Sequence, residues 1–387
     1  MKIVLVGDIY PGGDLEGAAA RRAVAVPAYH AADLRLGTLE SALSDSAARA
    51  EKYVLACKPS GARLLKELGL SAVSLAQNHI QDMGDSGIGD TIRALDAAGV
   101  GHFGAGRTLE EARRPFWINE DLCVLSYCRH RELTLNQVAV AETDRPGVAP
   151  LTHADVLADL GRLPAGKRAI LIFHWGCEHL WLTQYDNLEL ARRLLEDGRV
   201  ALIAGSHPHR VQGYLDHCGK RAYFSLGNFL FPNFYLDHPC VQVAPPDPRP
   251  RRVPTTRLYH RVHRLTYKKW PRVNRVSLMV EFDADSGVVA HRFVMQRDSQ
   301  PYVFPAPWWI RIPFGWRVGF LSCLSARCPR PVYERLFAAH HAVVFWWWRR
   351  RILLAQLRSL GIAAIGSKTI HRLSRRAACP AAQGNRP

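Results

Sequence analysis

The stretch Ala204-Gly205-Ser206-His207-Pro208-His209 follows Val200-Ala201-Leu202-Ile203, and its reading decides the fold. The apolar run reads as a short buried strand, and Gly205 and Pro208 break it into a loop. Two histidines, one residue apart, then project from the carboxyl end of the strand. That edge is where α/β proteins place their chemistry, and neutral imidazole is the commonest metal-ligating side chain. An isolated His-x-His is equally well explained by a polar loop with two solvated histidines, so the weight falls on what the rest of the chain places beside it.

Working outward, the same arrangement recurs. Ile3 to Val6 reads as the first buried strand, ended by Gly7-Asp8. Leu15 to Ala25 is expected to be helical, and Leu34 to Glu40 reads as a second strand ending in Thr38-Leu39-Glu40. Gly61 to Leu68 carries Leu64, Leu65 and Leu68 on one face and closes at Gly69, as a helix does. Leu70 to Ala76 reads as a strand emptying into Gln77-Asn78-His79-Ile80-Gln81-Asp82-Met83-Gly84. Side chains of adjacent Asn78 and His79 can diverge, one towards a metal and the other towards a substrate. Asp82 is close enough in sequence to hydrogen-bond and orient the imidazole. Asn78 as the N-cap of the following helix is the plainer alternative.

Asp85 to Ala98 reads as a helix, with Val100 to Phe103 and Leu122 to Tyr127 as strands. Gly104-Ala105-Gly106 lacks the spacing of a dinucleotide or P-loop fingerprint and is given no phosphate-binding role. After a helix at His153 to Leu160, Ala169-Ile170-Leu171-Ile172-Phe173 is the most strand-like run, and it ends in His174-Trp175-Gly176-Cys177-Glu178. A helix at Leu188 to Leu195 leads to the strand before His207. Arg221 to Leu226 is a further strand, ending in Gly227-Asn228-Phe229. The alternation predicts an α/β fold. Asp8, Glu40, Asn78, His79, His174, His207 and His209 all stand where strands end, and together they form a set of hard and borderline ligands suited to Mn, Fe or Zn.

These motifs resemble one family. Gly-Asp near the start, Leu-Glu, Asn-His-x-x-Asp-x-Gly, His-Trp-Gly-x-Glu, Gly-Ser-His-Pro-His and Ser-Leu-Gly-Asn-Phe are similar to the bacterial capsule-synthesis CapA family, linked to poly-γ-glutamate capsules and placed among the calcineurin-like metallophosphoesterases. The resemblance implies a four-layer αββα sandwich with a two-metal centre at the strand ends. It implies Asp8, Glu40, Asn78, His174, His207 and His209 as metal ligands, Glu40 taking the bridging place. His79, oriented by Asp82, is then the catalytic acid facing the phosphate. Glu178, Arg210 and Asn228 are expected to touch an anionic phosphoester or polymer substrate. The superfamily's first motif usually has a histidine where this chain has Tyr10, and Asn commonly precedes Leu-Glu where this chain has Thr38. One of the two metal sites is therefore short of a ligand. A non-hydrolytic capsule-assembly component, with a vestigial or structural metal site, is the alternative.

Of the 387 residues, 51 are Lys or Arg and 34 Asp or Glu, a formal net charge of +17. From Pro301 onward there are fourteen Lys/Arg against Glu334 alone, so +13 of the +17 belongs to this segment. The metallophosphoesterase-like domain is expected over residues 1–297, with a Pro/Arg-rich insertion or mobile loop at 239–275. A basic aromatic extension follows at 298–387, disordered from about residue 376. Trp308 and Trp309 precede Arg311, and Trp346 and Trp347 lie beside Arg349 and Arg350. Tryptophan at headgroup level and arginine on anionic lipid suit a membrane surface, and a helical subdomain packed on the core is the alternative. No recognised nucleic-acid motif accompanies the charge, so no specific nucleic acid partner is expected. The nine cysteines include no Cys-x-x-Cys, and their apolar surroundings point to a reducing compartment. Asp8 interrupts the N-terminal apolar run too early for a signal peptide, and no apolar run reaches the length of about 18 residues that a spanning helix needs. The expected location is cytoplasmic, peripheral on the inner membrane through the extension.

Overall fold

In the first strand, β1 (Lys2–Ile9), Ile3 and Leu5 join one apolar cluster while Val4 and Val6 join another. Side chains of period two must divide this way when both faces of a sheet are covered. The computed structural model describes residues 1–15, 23–48, 50, 54–129, 138–236, 266–298, 300–350 and 354. After β1 come β2 (Leu34–Leu39), α1 (Gly61–Glu67), β3 (Ala72–Ser74), α2 (Gly84–Ala98), β4 (Gly101–Phe103), β5 (Phe116–Trp117) and β6 (Leu122–Cys128). Then come α3 (His153–Arg162), β7 (Arg168–His174), α4 (Tyr185–Glu196), β8 (Val200–Ser206), β9 (Tyr214–His217), β10 (Lys220–Tyr223) and β11 (Asn228–Leu230). The sequence closes with β12 (Val276–Asp283), β13 (Val289–Gln296), β14 (Val303–Pro305) and α5 (Trp308–Arg327), followed by α6 over residues 330–350.

The strands form a mixed eight-stranded sheet, β14-β13-β12-β1-β2-β3-β4 with β11 also on β1, and a six-stranded sheet, β9-β10-β8-β7-β6-β5. In the second sheet, Ile170 and Ile172 of β7 share a cluster with Ile3, Leu5, Leu278 and Val280 of the first sheet. Leu171 and Phe173 point the other way, to Leu160 of α3 and Leu188 and Leu195 of α4. Val4 and Val6 likewise meet Leu65 of α1 and Ile88 and Leu95 of α2. The α/β expectation holds.

Differences from the expected elements have local causes. The strand expected from Arg221 to Leu226 is shorter: β10 ends at Tyr223, and β11 after it pairs in parallel with β1 in the other sheet. The helix expected over Leu15 to Ala25 falls largely on residues 16–22, outside the described residues. The same is true of 239–265 of the expected insertion, but Thr266–Lys268 forms a strand on Phe234–Leu236, and Trp270 is buried. Asp283 to Gly287 make the hairpin turn that joins β12 to β13, with Gly287 at φ 71°.

The C-terminal extension is seated on the core. Ile310, Phe314 and Val318 of α5, at helical spacing, enter the cluster between the sheets. Tyr333 of α6 is buried and donates to the Thr183 carbonyl at 3.0 Å. The opposite side of α5 is also apolar, leaving Trp308, Trp309, Ile312, Trp316 and Phe320 exposed. Among the described residues no helix is long and apolar enough to cross a membrane.

Two backbones touch where β1 meets β11. A Cβ on Gly7 would lie 1.7 Å from the Gly227 carbonyl oxygen, which accepts from the Asp8 N–H at 3.0 Å. Gly7→Ala is therefore expected to lower stability by about 3 kcal/mol, the upper end for overpacking a dense core, in urea denaturation. A change under about 1 kcal/mol would mean the strands can part without cost.

Candidate metal centre

Both sheets deliver polar side chains to one pocket. Asp8 stands in register between Thr38 of β2 and Asn228 of β11. Glu40 directly follows β2, its N–H donating to the Ile9 carbonyl at 2.9 Å. From the second sheet come His174, the last residue of β7, and Ser206, the last of β8, paired with each other. Ile170 and Ile172 face the first sheet, so His174, two residues further, faces it too. Its Nδ1 bonds the Ser206 hydroxyl at 2.8 Å, which directs Nε2 to Asn78 Oδ1 at 2.9 Å and Glu40 Oε1 at 3.9 Å.

The loop after β8 brings the other two imidazoles. His207 and His209 have φ of 93° and 54°, left-handed backbone that costs a non-glycine residue of order 1–3 kcal/mol and persists only where packing imposes it. The His174 and His207 ring centres are 4.7 Å apart. His209 Nδ1 bonds Asn228 Oδ1 at 2.8 Å and lies 3.5 Å from Asp8 Oδ2, while its Nε2 lies 3.4 Å from Glu40 Oε1.

Two overlapping ligand sets result: Glu40, His174 and His207 form one, and Asp8, Glu40 and His209 the other. All five residues are buried, and within each set one donor atom per residue lies within 4.8 Å of the others. Both carboxylate oxygens of Glu40, and Asp8 Oδ1, are buried without a hydrogen bond. Buried carboxylates are ordinarily paired or metal-coordinating, because isolation from water disfavours their charge. Burial, then the charges of Asp8 and Glu178, push the Glu40 carboxyl well above its usual range. Carboxylate oxygen and imidazole nitrogen around a shared acid fit divalent first-row cations.

The remaining expected site residues have distinct places. His79 is buried with Nδ1 2.6 Å from Asp82 Oδ2, which also accepts from the Leu55 N–H at 2.7 Å. Asn228, expected to touch substrate, bonds the candidate ligand His209. Glu178 is half-buried, with Oε2 3.9 Å from His179 Nε2. Arg210, next to His209, has its Nε buried without a hydrogen bond and its guanidinium 5.5 Å from the Trp181 ring centre. Burial, then the Arg317 charge, lowers its pKa to about 10, so it stays charged at neutral pH. Tyr10 donates to the Ala56 carbonyl at 3.2 Å, and its ring packs on Phe231 and Phe234.

The sequence profile described as "Bacterial capsule synthesis protein PGA_cap" matches residues 2–233. The chain belongs to this family. Among its relatives, a capsule biosynthesis protein CapA of Bacillus anthracis is 26% identical over 194 residues, 47% of this chain and 46% of that protein. A probable polyglutamine synthesis accessory protein of Mycobacterium tuberculosis is 28% identical over 224 residues, 54% of this chain and 58% of that protein. A PGA biosynthesis protein CapA of Bacillus subtilis is 26% identical over 253 residues, 58% of this chain and 62% of that protein. The chain thus spans about half the length of the curated relatives it matches. The PGA_cap region contains all five residues of the two candidate sets.

The pocket also gains residues that sequence reasoning missed: His179 within the PGA_cap region, and Lys268, Trp270 and Trp348 beyond it. Half-buried Lys268 lies 4.5 Å from the Trp270 ring centre, and burial lowers its pKa while Glu178 and Glu40 raise it. Trp270 packs at 5.0 Å on His209. His179, at φ 63°, is stacked by Trp348 of α6 with ring centres 5.5 Å apart. Burial, then Lys268, His209 and Arg210, hold His179 well below the usual imidazole range. Lys268 carries no signal in a stretch crowded with Arg and Lys, and His179 looked like one more loop residue.

Because the Glu40 carboxyl is raised, the metal-free fold binds its proton more tightly than the unfolded chain does. The associated stability is fully present below the unfolded value of about 4.3 and is lost as pH rises through the raised folded value. Metal-free Glu40→Gln is therefore expected to melt several degrees above metal-free wild type at pH 8. The gap should close towards pH 4, and saturating Mn²⁺ should stabilise the variant less than wild type. A variant that melts no higher than wild type at pH 8, or gains equally from Mn²⁺, would remove Glu40 from the centre.

Proposed function

We propose that the chain is a metal-dependent phosphoester hydrolase of capsule synthesis, acting on a cell-envelope or polymer substrate, with the four-layer αββα arrangement of the calcineurin-like metallophosphoesterases. The membership of one buried carboxylate, Glu40, in two ligand sets carries this reading. Asp8, Glu40 and His209 would hold one divalent cation, and Glu40, Asn78, His174 and His207 the other. Such cations supply Lewis acidity towards phosphoryl oxygens. Ser206 and Asn228 orient the His174 and His209 rings, fixing which nitrogen faces the pocket. The Tyr10 hydroxyl is turned to Ala56, which leaves the Asp8 side with one imidazole. His79, fixed at Nδ1 by Asp82, would give a proton from Nε2 to the leaving oxygen. Lys268 and Arg210 add positive charge that favours an anionic substrate. An anionic polymer or envelope substrate also agrees with relatives that are named for capsule biosynthesis, polyglutamine synthesis and PGA biosynthesis.

His79→Ala should lower Mn²⁺-dependent turnover of a chromogenic phosphodiester by roughly 10²–10⁴-fold, the usual share of a general acid, with metal content unchanged. Loss of metal together with turnover would make His79 a ligand. Wild-type protein that binds metal without turnover would favour a non-hydrolytic assembly component.

The exposed face of α5, with Trp316 80% and Trp308 62% exposed, and Trp346, Trp347, Arg349 and Arg350 of α6 would rest on an anionic membrane surface. Each arginine near such a surface contributes roughly 1 kcal/mol. Co-sedimentation with anionic vesicles that weakens at high salt is expected. Equal binding to neutral vesicles, or none to either, would discard this placement.

A further inference from the structure

Two guanidiniums close on one indole without a counter-anion. The Arg317 guanidinium carbon lies 3.2 Å from the ring centre of Trp181, and that of Arg210 lies 5.5 Å from the same centre. A cation over an indole face accounts for one of them. It does not account for two, because like charges in a half-buried setting repel. An acid normally offsets such a pair, yet among the described residues no carboxylate pairs with either arginine, and Arg210 Nε is buried without an acceptor. The third group present is His340 of α6, whose Nε2 accepts from the Trp181 N–H at 3.0 Å and offers no negative charge.

The location is specific. Arg210 follows the candidate ligand His209 directly in the chain. His179, its ring centre 6.0 Å from that of His209, lies in the field of both Arg210 and Lys268. The arginine pair is thus beside the metal centre but separate from it. Arg317 comes from α5, outside the residues matched by the family.

We propose that Arg210 and Arg317 form an anion subsite holding a carboxylate or phosphate of the substrate remote from the reacting bond, half of it supplied by the C-terminal extension. A compact phosphoester would be satisfied at the metal pocket. A further cationic pair along the loop suits an extended chain with repeated acidic groups. The position of the subsite along a substrate rests on the hydrolase reading, whereas its capacity to bind an anion does not.

The test is calorimetry on the full Mn²⁺-loaded chain with three probes: hexaglutamate, a poly(glycerol phosphate) oligomer and inorganic phosphate. Arg317→Gln should weaken binding of whichever oligomer wild type prefers by about tenfold or more, the usual loss for a charge-assisted hydrogen bond. Inorganic phosphate affinity and Mn content should stay within about twofold. The preferred oligomer identifies the acidic group as carboxylate or phosphate. Arg317→Lys should recover part of the loss, and Arg317→Met, which keeps an apolar stem on Trp181, should match Arg317→Gln, separating charge from packing. Unchanged oligomer binding in Arg317→Gln, an equal fall for inorganic phosphate, or full affinity in Arg317→Met would overturn the subsite. Absence of phosphodiesterase turnover with normal oligomer binding would count against the hydrolase reading alone.

Discussion

Glu40 is a carboxylate that the fold has taken out of water without giving either oxygen a donor. Such a group either keeps its proton, as its raised pKa allows, or is charged beside positive charge that arrives from elsewhere. Asp8 and Glu40 come from the first sheet, and His174, His207 and His209 from the second. The polar pocket sits where the apolar cluster shared by the two sheets gives way at the carboxyl ends of their parallel strands. Its neighbours are as constrained as the ligands. Ser206 turns His174, Asn228 turns His209, and Asp82 turns His79, so each of these three imidazoles has one nitrogen committed before any substrate or ion is considered.

Much of this was legible in the sequence because strand ends are. An apolar run followed by a polar residue signals both a buried strand and the loop that carries chemistry. Asp8, Glu40, Asn78 and His174 all stand at such ends; each placement is weak alone, and it is their recurrence and the resemblance of the surrounding motifs that single them out. What stayed hidden depends on contacts without periodicity. Nothing about Asn228 shows that its amide faces a histidine nineteen residues away. Lys268 and Trp270 reach the pocket through a short strand pair embedded in a Pro/Arg-rich stretch, where composition reads as loop. In α5, tryptophans and arginines on the exposed side mask the buried stripe of Ile310, Phe314 and Val318, so the extension read as an appendage.

The extension changes what the family-matched residues mean. Residues 2–233 contain the ligands, but α5 and α6 supply Arg317, His340 and Trp348 to the surroundings of the pocket. The same helices cover apolar surface of both sheets. A segment that is at once core cover and pocket wall cannot be exchanged for another without altering both stability and what the pocket admits.

The left-handed backbone at His207 and His209 has a consequence for how such a centre is filled. Left-handed backbone at two histidines persists only where the surrounding packing imposes it, so the loop holds its shape without a bound ion. If the site takes up a cation as proposed, little backbone ordering would be left for binding to impose, and selection among cations would rest on donor chemistry and geometry rather than on folding around the ion.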